Sequence, residues 1–376
     1  MKNLFKLSAA ALCAIAFAAC EPDNSATDNG QEGAGTDELV IPSVYFVGQY
    51  YGNYNENDLA NVGVAFVEGE IGYDEWGDIT GGNGTTVYID LTMPLASDPD
   101  HALVAPGTYA MDADEEYILN TWSAADSYID KVENGNTVYE NAAFTGGTVT
   151  VSKDGDNYKF VLDMTIGKDV FKYEYTGRAK LINSSEEGQL SNLDRDVEVK
   201  NLSQASMFLI GDIMEDGATE TWAISIGDEY YDLVTDWGMG YSMLLYFNLQ
   251  PGLEGVPSGT YDTVLDVMDL MSGEADMTPN TLLGGFSSLG MYMGCYYMCP
   301  ALTEEAALKS GSVTVVANGD TYKVSGKLYD GFGNEVSFNY DGEMVLMTYE
   351  EYALKSGAAS QPKGFVAKKP FDFKRR

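Results

Sequence analysis

The chain has 376 residues, with 58 Asp and Glu against 21 Lys and Arg, and a formal net charge of −37. A hydrophobic share of 45% with 12% aromatics excludes a disordered chain, and the length suits about two domains. The charge excludes a nucleic-acid partner, because phosphate contacts need Lys and Arg, and the single histidine, His101, excludes multi-histidine metal or haem ligation.

Residues 1–20, MKNLFKLSAAALCAIAFAAC, open with Lys2 and Lys6 and then run uncharged and apolar from Leu7 to Ala19. That stretch is short for a bilayer span and has the layout of a secretory signal. It ends Phe17-Ala18-Ala19-Cys20 and resembles the bacterial lipoprotein signal, in which the cysteine is lipidated and becomes the mature N-terminus. The resemblance implies that Cys20 carries the acyl chains and that the protein sits in the outer membrane. No other run reaches the ~18 apolar residues of a spanning helix, so lipid is the expected anchor, each buried CH₂ contributing ~0.8 kcal/mol. Residues 21–40 begin EPDNSATDNGQEGAGTDEL, with six acids and no base, and read as a flexible tether. An acidic stretch directly after the lipidated cysteine is similar to the surface-export signal of Bacteroidota lipoproteins, which implies display toward the cell exterior.

The body reads as one unit written twice, residues 41–182 and 205–348, joined by a polar linker at 183–204. Gly147-Thr-Val-Thr-Val151 pairs with Gly311-Ser-Val-Thr-Val315, Tyr158-Lys159 with Tyr322-Lys323, and Tyr175-Thr-Gly177 with Tyr340-Asp-Gly342. Upstream, Gly107-Thr-Tyr109 matches Gly259-Thr-Tyr261, Tyr88–Pro94 matches Tyr246–Pro251, and Gly48 matches Gly211. The repeat is too long for a solenoid unit and implies two domains of similar fold. Thr148–Val151 alternates, Lys153–Asn157 supplies turn residues, and Tyr158–Leu162 resumes, which predicts a β-hairpin; Ala317–Asp320 repeats the turn. Phe171–Tyr175 and Val336–Tyr340 alternate apolar with polar, so each presents one buried and one wet face. The predicted fold class is all-β, with two related antiparallel β-sandwich or small β-barrel domains in tandem, each of roughly seven or eight strands. Thr303–Leu308 has the start signals of a short helical turn. The duplicated GTVTV…Tyr…Tyr-x-Gly pattern resembles tandem β-domain lipoproteins of Bacteroidota, with calycin-like or sandwich modules. Such lipoproteins include glycan binders beside outer-membrane transporters and adhesin or fimbrial parts.

Once the signal is removed and Cys20 lipidated, Cys295 and Cys299 remain, and an oxidising envelope favours a disulfide between them. Four extended residues span about 13 Å, so the bridge requires a turn or helix there. Met291, Met293, Cys295, Met298 and Cys299 also form a soft set suited to Cu(I), set against plain core packing. Asp98, Asp100 and Asp112–Glu116 could gather oxygens for Ca²⁺, or simply be a solvated face. No carboxylate pair among so many acids can be singled out for hydrolysis, and His101 has no nucleophile elbow to serve. Trp76, Trp122, Trp222 and Trp237 stand among Gly, Asp and Asn, and Tyr50-Tyr51 adds rings beside them. Flat rings next to polar groups suit sugar binding; the same rings could instead plug the fold. The tail, 349–376, ends in six bases against one acid over its last sixteen residues, and reads as a segment docking on the acidic body or on anionic lipid, or as a frayed end. The expected function is non-catalytic binding of a glycan or other extracellular ligand, with a surface assembly or adhesin role as the alternative and a secreted hydrolase as a third.

Overall fold

In the computed structural model the chain is described at residues 39, 42–73, 79–185, 190–214, 217–232, 237–288 and 291–347. The signal with Cys20, the tether except Leu39, Trp76 and the basic tail lie outside the described residues. Among the described residues strands dominate, and no helix is long and apolar enough to cross a membrane.

The first half forms β1 (Val44–Gly52), β2 (Leu59–Tyr73), β3 (Ile79–Pro94), β4 (Gly107–Asp112), β5 (Thr121–Ser123), β6 (Tyr128–Glu133), β7 (Asn136–Ala143), β8 (Gly146–Asp154), β9 (Asn157–Ile166), β10 (Asp169–Gly177) and β11 (Ile182–Asn183). They join one sheet in the order β10-β9-β8-β4-β5-β3-β2-β1-β11, with β6 and β7 branching from β3. After β12 (Val197–Val199), the second half forms β13 (Gln204–Gly211), β14 (Glu220–Gly227), β15 (Tyr231–Asp232), β16 (Trp237–Gly238), β17 (Ser242–Leu249), β18 (Gly259–Tyr261), β19 (Val264–Leu265), α1 (Val267–Ser272) and β20 (Thr281–Leu283). It continues with β21 (Phe286–Ser288), β22 (Met291–Met293), β23 (Tyr296–Cys299), β24 (Glu304–Ala307), β25 (Ser310–Asn318), β26 (Thr321–Tyr329), β27 (Glu335–Glu343) and β28 (Val345–Met347). Its main orders, β27-β26-β25-β18 and β20-β17-β14-β13-β28, repeat those of the first half strand for strand.

Among the described residues no sheet closes into a barrel. The first path ends at β10 on one side and at the two-residue β11 on the other, and these two do not pair. The all-β expectation stands, and the small-barrel alternative is set aside.

Period-two patterning explains the hairpins. In β8, Val149 and Val151 are buried while Thr148 and Thr150 face water; in β9, Tyr158, Phe160, Leu162 and Met164 point inward. The predicted turns form at Gly155 and Gly319, both in left-handed conformation. Gly147 and Gly311 sit at φ +119° and +116°, and a Cβ on either would fall 2.2 Å from a carbonyl oxygen of the facing strand. Tyr175 and Tyr340 fold over Gly177 and Gly342 and donate to the carbonyls of Arg178 and Glu343, which accounts for the Tyr-x-Gly repeat. The first core is built around Phe46, Phe66, Phe160 and Tyr175, with ring centroids 5.0 to 6.2 Å apart.

Register corrects the alignment of the upstream segments. The β1–β2 irregularity at Gly52 opposite Asn61 corresponds to the one at Gly211 opposite Thr221, so Gly52 rather than Gly48 answers Gly211. Likewise Thr92 answers Asn248: they face Asn61 and Thr221, and accept from the N–H of Asn120 and Asn280, each left-handed. Both slips are even, so each strand keeps the same face inward and the string comparison cannot detect them.

Residues 190–203 are packed rather than a free linker. Leu193 and the β12 valines enter the second core, β12 runs parallel to β27, and Ser191 donates to Asp330 at 2.7 Å. Thr303–Leu308 forms no helix. Thr303 is left-handed and ends a short turn, after which β24 pairs antiparallel with β23. Glu304, at the head of β24, is fully buried between the halves, with Arg195 at 2.8 Å, Lys180 at 3.6 Å and Arg178 at 3.9 Å. Tyr297 donates to its other oxygen at 3.2 Å.

Candidate functional site

Among the described rings expected as platforms from the sequence, most are interior. Trp122 is fully buried, edge-on to Phe144, with its indole N–H donating to Gly147 O at 3.3 Å. Trp222 is buried in the second core, and Tyr50 is buried in the first with its hydroxyl accepting from Ala96 N–H. Polar neighbours in sequence do not expose these rings because inward and outward positions alternate along a strand. Trp237 lies in β16, with its side chain outside the described residues. Among the described side chains of the named rings, only Tyr51 is half-buried on the outer face.

The cysteine expectation is also corrected. Cys295 and Cys299 are free, buried thiols, each pushed up to about 12 by burial. The extended strand Tyr296–Cys299 is the geometry that excludes a bridge. Met293 packs in the outer cluster of the second half while both cysteines lie in its core, so the soft-metal set is divided. Asp98 binds His101, Asp100 accepts from Asn183, and Asp112 caps the N–H groups of Glu116 and Tyr117. Among the described residues no group of three or more His, Cys, Asp or Glu is arranged to hold a metal.

What the structure does assemble is a tyrosine–carboxylate cluster on the outer face of β1, β2 and β3. Asp90 lies opposite Gly63, where an added Cβ would meet the Tyr88 hydroxyl at 2.3 Å. Asn61 donates its amide to Asp90 Oδ1 at 2.6 Å, and Asp90 N–H donates to Ser127 at 3.0 Å. Asp90 Oδ2, Asn61 Oδ1 and Thr86 Oγ1 are buried with no hydrogen-bond partner. Each such orphan costs about 1–3 kcal/mol. Tyr88 stacks on Tyr128 with centroids 5.5 Å apart, and the charge of Asp90 reaches Tyr51, Tyr54 and Tyr117.

Two loops frame this face. Asn53 Oδ1 accepts from the N–H groups of Asn57 and Asp58, and Asn57 donates across to Tyr117 O at 2.8 Å. Glu56, Asp58, Glu115, Tyr117 and Asn120 are all left-handed, five of the eleven such non-glycine residues described. Backbone strain of this kind gathers where surrounding structure holds it for a purpose.

The second half supplies the contrast. Its register places Tyr246 opposite Ala223 where the first half has Asp90 opposite Gly63. Phe208, Ala223, Tyr246 and Leu283 there form an apolar cluster with Val267 and Leu270 of α1. The same face is thus sealed with hydrocarbon in one half and left polar, with unpaired acceptors, in the other. Sequence inspection missed this site because its residues are scattered over four strands; the signal available was Asp90 in a strand otherwise buried on both faces.

Burial, with Asp126 beside it, pushes the Asp90 carboxyl well above the ordinary range, against the opposing Asn61 hydrogen bond. A raised folded-state value means that stability is lost as pH climbs from the unfolded value toward the folded one. Asp90→Asn therefore raises the melting temperature at pH 8, with a gain that vanishes near pH 4 and grows by about 1.4 kcal/mol per pH unit between the two pKa values. Thermal unfolding at pH 4, 6 and 8 measures it, and a gain independent of pH would contradict the assignment.

No protein-family model matches this chain, and neither does any curated protein or solved structure.

Proposed function

We propose that this chain is a lipid-anchored outer-membrane protein, held through Cys20 and displayed outward on its acidic tether, whose tandem β-sandwich modules bind an extracellular ligand without catalysis. The ligand class is a glycan, and its site is the cluster of Tyr51, Tyr54, Tyr88, Tyr117 and Tyr128 around Asp90. The observation that carries this is the pair of unpartnered acceptors on Asp90 and Asn61, lying under tyrosines on a face the other half seals with apolar side chains. Rings and fixed hydrogen-bonding groups together suit sugar recognition. A glycan-array screen of the full chain extracted in detergent tests it. Binding is expected, weakened about tenfold or more by Tyr117→Ala; no binding, or binding indifferent to Tyr51→Ala and Tyr117→Ala, would remove the proposal. Labelled palmitate is expected to enter the wild-type chain and not Cys20→Ser.

A second reading, a surface assembly component, is favoured by one observation. The edge strand β27 is covered by β12, whereas its counterpart β10 has β9 as its sole strand partner among the described residues. An unpaired edge is a template for a strand from another chain.

A further inference from the structure

We propose that the ligand held by the Asp90 cluster carries a protonated primary amine, seated between Asp90 Oδ2 and Asn61 Oδ1. This inference rests on the cluster being the binding site and names the chemistry that fits it.

Asp90 Oδ2 and Asn61 Oδ1 are both buried without a hydrogen-bond partner, and both accept once Asp90 is ionised. A neutral sugar hydroxyl brings one donor, whereas an ammonium brings three and can serve both. The chain itself offers no such group nearby. From Leu7 through Asp130 the sequence contains no lysine or arginine, and the strands β1 to β5 that build the site fall inside that stretch. On β6, Lys131 is already paired with Glu133 at 2.6 Å. The cations of this protein are placed elsewhere, three of them around Glu304.

The surroundings are those of a cation site. Asp126 adds a second carboxylate close enough to bear on Asp90. Glu56, Asp58, Asp114, Glu115 and Glu116 are exposed on the two framing loops, so the approach is negative and concentrates cations before contact. Tyr88 and Tyr128 present stacked rings beside the carboxylate, and an aromatic face attracts an ammonium by about 0.5–2 kcal/mol.

The titratable groups facing Asp90 are Tyr51 on β1, Tyr54 and Tyr117 on the framing loops, Tyr88 on β3, and Asp126 before β6, with Tyr128 and Asp130 of β6 behind Tyr88. The tyrosines titrate only at high pH, where burial holds them further up. Below that range the responsive group of the cluster is the Asp90 carboxyl, which burial pushes well above the ordinary carboxylate range. An arriving ammonium displaces the carboxyl proton to solvent, so affinity rises with pH toward the raised Asp90 value for as long as the ligand amine keeps its own proton.

Calorimetry on the full chain in detergent, with a glucosamine tetramer, its fully N-acetylated counterpart and spermidine, tests the proposal. The glucosamine tetramer is expected to bind, with the acetylated form weaker by about tenfold or more and the preference lost in Asp90→Asn. Asp90→Asn is expected to fold more stably than the wild type at neutral pH, so its loss of binding is not unfolding, and it changes the large net charge by one unit only. Equal affinity for both sugars would overturn the amine while leaving the glycan site standing. Spermidine binding as tightly as the glucosamine tetramer, and lost in Asp90→Asn, would support the amine and overturn the glycan. Amine binding unchanged in Asp90→Asn would reduce it to diffuse attraction by an acidic chain, and silence from all three probes would overturn both.

Discussion

Replacing Glu304 with glutamine lowers stability by about 3 kcal/mol, toward the lower end of what removing one partner from a buried ion pair costs. The carboxylate is fully buried, and Arg195, Lys180 and Arg178 converge on one of its oxygens while Tyr297 donates to the other. Glutamine keeps the shape but turns an amide donor toward the cations and removes the counter-ion shared by Arg195 and Arg178, while Lys180 keeps Asp194 at 3.2 Å. The cations are a fifth to a half exposed, so water screens part of the loss, and the higher figures for sealed pairs do not apply. Arg195→Ala costs only about 1 kcal/mol, because two cations remain on the carboxylate. Arg178 and Lys180 leave the first half after β10, whereas Glu304 belongs to the second. Denaturant unfolding of Glu304→Gln is therefore expected to split into two transitions where the wild type shows one. A single transition within 1 kcal/mol of wild type would show that the halves are coupled elsewhere.

Trp122→Ala costs about 3–5 kcal/mol, the range for emptying a buried aromatic site. The ring is fully buried against Phe144, and its N–H satisfies the Gly147 carbonyl, beside the strained turn into β8. A surface platform predicts the opposite result, lost ligand binding at unchanged stability. The two are separated by measuring urea unfolding and ligand affinity on the same variant. Trp122→Phe restores part of the packing without the N–H and is expected to recover about half of the loss.

The hairpins, their turn glycines and the Tyr-x-Gly repeat were legible in the sequence because each is a local rule: alternation, a left-handed turn, a ring over a residue without a Cβ. Thr303–Leu308 was misread for a physical reason. Its helix-start signals amount to a fraction of the energy that β23 offers β24 through a complete ladder and that the junction cations offer Glu304. Trp122 and Trp222 were misread because neighbours along a strand say nothing of which way a ring points. The Asp90 cluster escaped notice because it is defined across strands: Asn61, Asp90 and Ser127 become neighbours only when β2, β3 and the turn before β6 are laid side by side. Gly63 is the trace it leaves, a small residue directly across from a buried acid.

In both halves the closing strand lies parallel to the opening one, β11 beside β1 and β28 beside β13. A backbone that starts and finishes in the same direction is received at one rim of the sheet and released at the other, a strand length of about 30 Å further on. Such a unit can be copied in frame and joined to itself without rerouting a single loop. Each added copy would extend the array by one more unit, so duplication alone suffices to lengthen it, and the spare copy is free to trade an apolar face for a polar one.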